Sequence, residues 1–592
     1  MKTCLILLAL VWLALSPWAG RANAACVLTK IADLPVTMKD FRPMAPVKVN
    51  GHDALFFIDS GAFFSSVTPE GAATFGLTKG PLPPGLTIRG VGGTADMSLV
   101  TAKDFFFANI PYRHVDFLVG EKGDGSGAVG LIGQNLIGQM DVEYDLANGV
   151  IRLFVPKGCD GARLAYWVSG QQAYFVIHIS PATDTLSNAT AMASVNGVKI
   201  RAEFDTGSPT SMLSLDTAAR AGVKPPQAIN DPGQFTSGIG LRTYLRTWIA
   251  PVDSFNLGDE EIRHTRLRFG EMSLPGDVDM LIGADFFLSH RVFVSNSQHQ
   301  PYFTYNGGPV FNLTAHPPGA AYAPTDGPAS DSYSDAPTDA AGYARRAAAN
   351  RNRRDVARAV TDLTRAIELD PKQPDYFRER GEDELADGET DAALADFDQA
   401  LKLKPDDLEV FLARARYYQA LGDKARVRDD LGAIDHAAAV DADVRLALSG
   451  FFASADLYVE AITQADAWMI AHPKNDRLAE ALNDRCWYRV MSNRDLDKAL
   501  ADCNAALKLR PGSPIYLDSR GLFRLRRGEF DKAIADFQAV QRLTPDNPWM
   551  LYGKGLAELK KGLKSEGEAD IKAATVIDPK LADKAKVVGL AR

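Results

Sequence analysis

VNGHDALFFIDSGAFFSSVTPEGAATFGL, residues 49–77, and VNGVKIRAEFDTGSPTSMLSLDTAARAGV, residues 195–223, align without a gap at an offset of 146. Nine of the 29 positions are identical: Val49/Val195, Asn50/Asn196, Gly51/Gly197, Asp59/Asp205, Gly61/Gly207, Ser65/Ser211, Ala72/Ala218, Ala73/Ala219 and Gly76/Gly222. The chain therefore holds a duplicated unit with an Asp-[Ser/Thr]-Gly turn at the same point in each copy. Asn-Gly between two strand-like runs marks a tight hairpin, because that pair tolerates the positive φ such turns require. Asp59 then falls at the end of the strand leaving the hairpin. Phe56-Phe57-Ile58, apolar on both faces, reads as buried. One Asp-[Ser/Thr]-Gly is a weak signal, since a solvated Asx-type turn favours the same residues. Recurrence in register, behind an apolar strand, raises it above that.

Two further segments recur in the same order. Gly90-Val91-Gly92 reads as the tip of a mobile β-hairpin, where glycines ease bending and close backbone approach, and Gly238-Ile239-Gly240 matches it at an offset of 148. A phosphate-cradling loop is excluded there, because no helix follows and no P-loop lysine is present. Gly130-Leu131-Ile132-Gly133-Gln134-Asn135-Leu136 finds its counterpart in Leu281-Ile282-Gly283-Ala284-Asp285-Phe286 at an offset of 150. Small loop insertions account for the drift. Short apolar runs separated by Gly, Pro and Asn-Gly make both copies all-β.

With FIDSGA (57–62), EFDTGS (203–208), GLIGQNL (130–136) and MLIGADF (280–286) in this order, residues from about 40 to 305 resemble the pepsin and retropepsin group of aspartic proteases. The retropepsin-like type is the nearer likeness, with both lobes held in one chain. The resemblance implies two lobes whose Asp loops meet face to face beneath Gly-rich flaps at Gly90, Val91, Gly92 and at Gly238, Ile239, Gly240. It makes Asp59 and Asp205 the catalytic pair. Two carboxyl groups held close share one proton and serve together as base and acid. Ser60 and Thr206 would lock the facing loops, Gly61 and Gly207 would allow the tight turn, and Ser208 would offer one carboxylate an outer hydroxyl that Ala62 cannot.

The rest of the chain sets the context. A length of 592 residues calls for about three or four domains. A net charge of −9 argues against nucleic acid as the main partner. Lys2, the apolar run Leu5–Leu15 and Ala22-Asn23-Ala24 form a signal-peptide layout over residues 1–24, so the expected location is the periplasm or the medium. Asn23 stands where a lipid-attachment site at Cys26 would place an aliphatic residue, so soluble export is favoured over a lipid anchor. No other run reaches the roughly 18 apolar residues of a spanning helix. Removing the leader leaves Cys26, Cys159, Cys486 and Cys503, an even count that permits disulfides in an exported protein. Cys26 with Cys159 would close the first lobe, and unpaired thiols are the competing reading. No Cys/His cluster has metal-ligand spacing, and no cofactor is expected.

The expected organisation is lobe one over 25–160, lobe two over 161–308, a Pro/Ala/Asp/Ser/Gly-rich linker over 309–340 and a helical array over 341–592. Pro371, Pro405, Pro473, Pro511, Pro545 and Pro579 mark a period of 34, with one interval of 38. Ala359, Ala393, Ala461, Ala499 and Ala533 stand twelve residues before five of them, and Gly381, Gly521 and Gly555 twelve before three of those small residues or their equivalents. Segments such as ADGETDAALADFDQALKLKPDD (386–407) resemble tetratricopeptide repeats, about seven units of paired helices whose concave surface implies a protein or peptide partner. Cys486 and Cys503 fall on the facing helices of one pair. The sequence thus reads as an exported aspartic endopeptidase with a recruiting array. The alternative is a non-catalytic binding scaffold with a degenerate protease-like half.

Overall fold

The computed structural model of the chain describes residues 26–82, 88–90, 93–95, 97–120, 127–169, 173–180, 190–224, 234–236, 245–272, 278–307, 310–311, 337–437, 444–475, 477–542 and 547–590. The leader segment and most of the linker stretch lie outside these residues, as do Val91, Gly92, Gly238, Ile239 and Gly240 of the two hairpin tips.

Each copy holds the hairpin its Asn-Gly pair dictates. Strand Arg42–Val49 turns through Asn50 (φ 48°) and Gly51 (φ 87°) into His52–Ile58. Thr190–Val195 turns through Asn196 (φ 49°) and Gly197 (φ 79°) into Val198–Phe204. Asparagine does more here than tolerate the turn. Asn50 Oδ1 accepts from the N–H groups of Lys103 and Asp104 at 3.0 and 3.1 Å, and its amide donates to the Phe75 carbonyl at 3.1 Å. Asn196 repeats the latch with Asp253, Ser254 and Ala221 at 2.9, 3.2 and 3.0 Å.

Copy one forms a seven-stranded sheet that closes on itself where Arg42–Val49 pairs with Ser98–Phe107. Copy two forms an eight-stranded sheet closed by Thr190–Val195 against Leu245–Leu257. A third, six-stranded sheet is shared between them, and at its centre Asp141–Asp145 runs antiparallel to His290–Ser295, with Tyr144 opposite Val292. Glu143 on the copy-one strand is fully buried. It accepts from Arg291 Nε of copy two at 3.0 Å and from Arg152, so one carboxylate ties the lobes together. Ser295 Oγ donates to Asp141 Oδ2 at 2.9 Å across the same seam. Cys26 and Cys159 are disulfide-bonded beside the pairing of Val27 with Lys157 at the sheet's outer edge.

Fifteen helices among the described residues run from Ala340 to Val587 as seven antiparallel pairs and a short closing helix, Leu581–Val587. The small residues let each pair approach: a Cβ on Gly381 would lie 2.9 Å from the Phe397 ring, and one on Gly521 2.6 Å from Phe537. Cys486 and Cys503 are bonded across one pair. A ladder of buried or half-buried charge runs through the array. Arg380 meets Asp396 at 2.7 and 2.8 Å, Arg520 meets Asp536 at 2.9 and 2.8 Å, and Arg346 with Asp362 and Arg414 with Asp430 repeat the arrangement.

The first helix of the array, Ala340–Asn352, is docked on the β-half. Asp339 caps it, accepting from the Gly342 N–H at 2.6 Å. Asn352 Oδ1 accepts from the Phe41 N–H at 2.6 Å, and Arg353 donates to the Gly307 carbonyl at 2.7 Å. Ala349 is fully buried within the core of the lobes. Within the stretch read as linker, Phe311 is also buried there, its ring 5.1 Å from Phe255. Composition gave no sign of either contact.

Candidate active site

The Asp loops are held from behind by the apolar-apolar-Gly segments. Ile58 pairs in parallel with Ile132, and the Asp59 N–H donates to the Ile132 carbonyl at 2.9 Å. Phe204 pairs with Ile282, and the Asp205 N–H donates to the Ile282 carbonyl at 2.9 Å. Only glycine fits at the end of each supporting strand: a Cβ would lie 2.6 Å from the Ala62 carbonyl oxygen at Gly133, and 2.5 Å from the Thr210 carbonyl carbon at Gly283.

Two hydroxyls then cross between the lobes. Ser60 Oγ donates to the Phe204 carbonyl at 2.8 Å and accepts from the Thr206 N–H at 3.0 Å. Thr206 Oγ1 donates to the Ile58 carbonyl at 2.7 Å and accepts from the Ser60 N–H at 3.0 Å. Four reciprocal bonds over a sequence gap of about 146 residues fix the loops face to face. The two aspartates, remote in sequence, are thereby brought together, the Asp205 carboxyl resting against Gly61 and the Asp59 carboxyl against Gly207 of the opposite loop.

Each carboxylate is oriented by two backbone donors. Asp59 Oδ1 accepts from Gly61 and Ala62 at 2.9 and 2.8 Å, and Asp205 Oδ1 from Gly207 and Ser208 at 2.9 and 3.1 Å. Both side chains are half-buried. Burial raises the Asp59 pKa above the usual carboxylate range, opposed by the Ala62 N–H, by the bond to Asp205, by the Gly61 N–H and by the charge of Arg42. Asp205 is raised much further, first by burial and then by the charges of Asp59 and Glu203. Two close carboxyl groups cannot both ionise readily, so the pair retains a proton where an isolated aspartate would not.

One expectation fails. The Ser208 hydroxyl donates to the Thr210 carbonyl at 2.9 Å and leaves Asp205 to its backbone donors, because the turn of the loop aims Oγ away from the carboxylate. The absence of a hydroxyl at Ala62 therefore creates no asymmetry at this point.

The structure adds a pair of supports. Ser65 donates through N–H and Oγ to Asn135 Oδ1, both at 2.8 Å, and Ser211 does the same to Asp285 Oδ1 at 2.8 and 2.7 Å. Each serine oxygen accepts in turn from the glycine N–H of the supporting segment, Gly133 or Gly283, at 2.9 Å. The Ser65/Ser211 identity was visible in the alignment. Its purpose needed the Asn135/Asp285 position of the third matched segment beside it.

Of the flap residues, the structure describes strand Ile88–Gly90 paired with Gly93–Ala95, Gly90 opposite Gly93. Among the described residues, no group of three His, Cys, Asp or Glu side chains is placed to hold a metal ion, and no helix is long and apolar enough to cross a membrane.

This architecture agrees with known families. Residues 45–136 and 191–286 match the aspartyl protease family, and residues 345–408 and 520–582 match the tetratricopeptide repeat. The chain carries an aspartyl protease domain in two repeats, one per lobe, followed by tetratricopeptide repeats. None of the curated proteins compared matches it. Among solved structures it is similar to a tetratricopeptide repeat protein from Parabacteroides merdae, at 16% identity over 42% of this chain and 98% of that one, with a TM-score of 0.35. Pseudomonas aeruginosa pilF is 14% identical over 35% and 92% of the two chains, with a TM-score of 0.27. YrrB, described as a TPR protein with an unusual peptide-binding site, is 16% identical over 38% and 95%, with a TM-score of 0.20.

Proposed function

We propose that the chain is an exported aspartic endopeptidase that hydrolyses peptide bonds through Asp59 and Asp205, with the repeat array recruiting protein partners or substrates. The observation that carries this reading is the placement of each aspartate carboxyl against the glycine of the opposite loop, Asp205 on Gly61 and Asp59 on Gly207, across loops locked by Ser60 and Thr206. In the singly protonated pair, one carboxylate takes a proton from water as its oxygen attacks the carbonyl carbon, and the other carboxyl gives its proton to the carbonyl oxygen. The resulting gem-diol collapses when the first carboxyl passes its proton to the amide nitrogen. The C–N bond breaks, and the second carboxylate regains a proton from a diol hydroxyl. Water and a peptide bond become a carboxylic acid and an amine, and the pair returns with one proton.

The leader layout supports export to the periplasm or the medium. The helix-pair array supports protein interaction, since stacked pairs present an extended surface. A scaffold with a degenerate protease half is not favoured, because both aspartates and every element of the crossed hydroxyl lock are present. The test is hydrolysis of an unstructured protein between pH 3 and 8 by wild type, Asp59→Asn and Asp205→Asn. Activity confined to wild type supports the proposal. Equal behaviour of all three under every condition, added partner included, removes it.

A further inference from the structure

The duplicated copies differ at the strand position two residues before each aspartate, where Phe57 in copy one aligns with Glu203 in copy two at the offset of 146. Side chains on a strand return to the same face every second residue. Phe57 therefore shares a face with Asp59, and Glu203 with Asp205. The Arg42 guanidinium lies over the Phe57 ring, 3.8 Å from its centroid, reached from the neighbouring strand in which Met44 pairs with Phe57. Glu203 is 6% exposed and sits between Thr190 and Leu281 of the flanking strands. A cation thus accompanies one aspartate and a buried acid the other.

We infer that Arg42 and Glu203 are positioning residues that fix the single proton of the pair on Asp205, so that Asp59 takes the proton from water and Asp205 gives one to the carbonyl oxygen. The inference rests on the catalytic reading above and goes beyond it by assigning the two roles. Among the groups that act on Asp59 from the surrounding elements are Arg42, which favours its anion, and Asp205. Tyr144 of the shared sheet lies close enough to feel the Asp59 charge, and burial together with that charge keeps its phenol neutral. On Asp205 act Asp59 and Glu203, and both disfavour its anion. Arg42, Asp59 and Glu203 therefore push toward the same protonation state. Two identical copies of one lobe could make no such distinction. Here the strand before each aspartate differs, Phe57 against Glu203, and the cleft is polarised accordingly.

The experiment is a carboxyl-carbon NMR titration of the full chain labelled at aspartate, with Asp59→Asn and Asp205→Asn assigning the two signals. The Asp59 signal titrates below that of Asp205. Glu203→Gln lowers the Asp205 step by about one pH unit, Arg42→Gln raises the Asp59 step by about one unit, and Arg42→Lys restores it. Simultaneous titration of both signals in wild type, the reverse order, or steps that neither variant moves would overturn the inference. Should Arg42→Gln fail to fold, the order in wild type and the response to Glu203→Gln decide it. Titration needs no turnover, so loss of the enzyme reading and loss of this assignment are separate results. In active protein, Glu203→Gln draws the alkaline limb of the kcat/KM profile downward and Arg42→Gln draws the acid limb upward. Movement in the opposite sense contradicts the assignment.

Discussion

A Cβ on Gly61 would lie 2.4 Å from Cγ of Asp205, and one on Gly207 would lie 2.3 Å from Cγ of Asp59. Each glycine is the wall against which the opposite carboxyl rests, so the repeated turn serves the other lobe as much as its own. Gly61→Ala or Gly207→Ala must push the carboxyl groups apart. A displacement on the order of 1 Å at a reacting centre costs about 100-fold in rate. Both variants are expected to lose about that much in kcat/KM on an unstructured protein while retaining the circular dichroism of both halves.

Asp285 carries a pH signature that Asn135, its counterpart, cannot. Burial raises its pKa from 3.8 to about 6 despite the Ser211 donors, and its Oδ2 has no hydrogen-bond partner among the described residues. A carboxyl raised on folding binds protons that the unfolded chain has already released, so stability falls as pH rises from about 4 to about 6 and the penalty is complete above that. The shift corresponds to about 3 kcal/mol at most. Asp285→Asn is expected to be more stable than wild type by about 1–3 kcal/mol near pH 7 and equal to it near pH 4, as read by urea unfolding.

Glu143 is the fully buried acceptor between Arg152 of copy one and Arg291 of copy two. Removing one partner of a buried ionic group leaves the others desolvated without compensation, at about 3–5 kcal/mol. Glu143→Ala should lower the urea midpoint of the β-half accordingly and leave the helical transition in place. An unchanged midpoint would mean that Glu143 adds nothing to the strand pairing and the Ser60/Thr206 bonds that also join the lobes.

Asn352 joins the array to the β-half through the Phe41 N–H, 311 residues away in sequence. Asn352→Asp puts a carboxylate where the amide now also donates to the Ala348 carbonyl at 2.7 Å and contacts the Met38 carbonyl at 3.5 Å. Like-signed oxygens then face one another. The expected outcome is a larger radius of gyration in small-angle scattering with both melting transitions retained.

Much of this was legible in order along the chain. The Asn-Gly hairpins, the Asp loops and the apolar-apolar-Gly supports each announce themselves within a few residues, because turn chemistry and strand period are local. The 34-residue proline period gave the array for the same reason. Contacts between segments were hidden. Arg380 and Asp396 are 16 residues apart on different helices, a spacing that within-helix pairing rules do not register. The docking of Ala340–Asn352 depends on Asn352 and Ala349, neither of which stands out in an alanine- and arginine-rich helix. The Ser208 hydroxyl was misread because its direction follows from the path of the loop to Thr210, which residue type does not give. Ala73 and Ala219 are identical and exposed, and nothing in the structure explains that identity.

A double-mutant cycle in kcat/KM on an unstructured protein substrate, comparing wild type, Asp59→Asn, Asp205→Asn and the double variant, tests the shared centre most directly. Groups that act as one unit are grossly non-additive. Each single variant is predicted to lose as much activity as the double. Additive losses, or either single variant retaining wild-type turnover, would contradict a catalytic centre held jointly by the two aspartates.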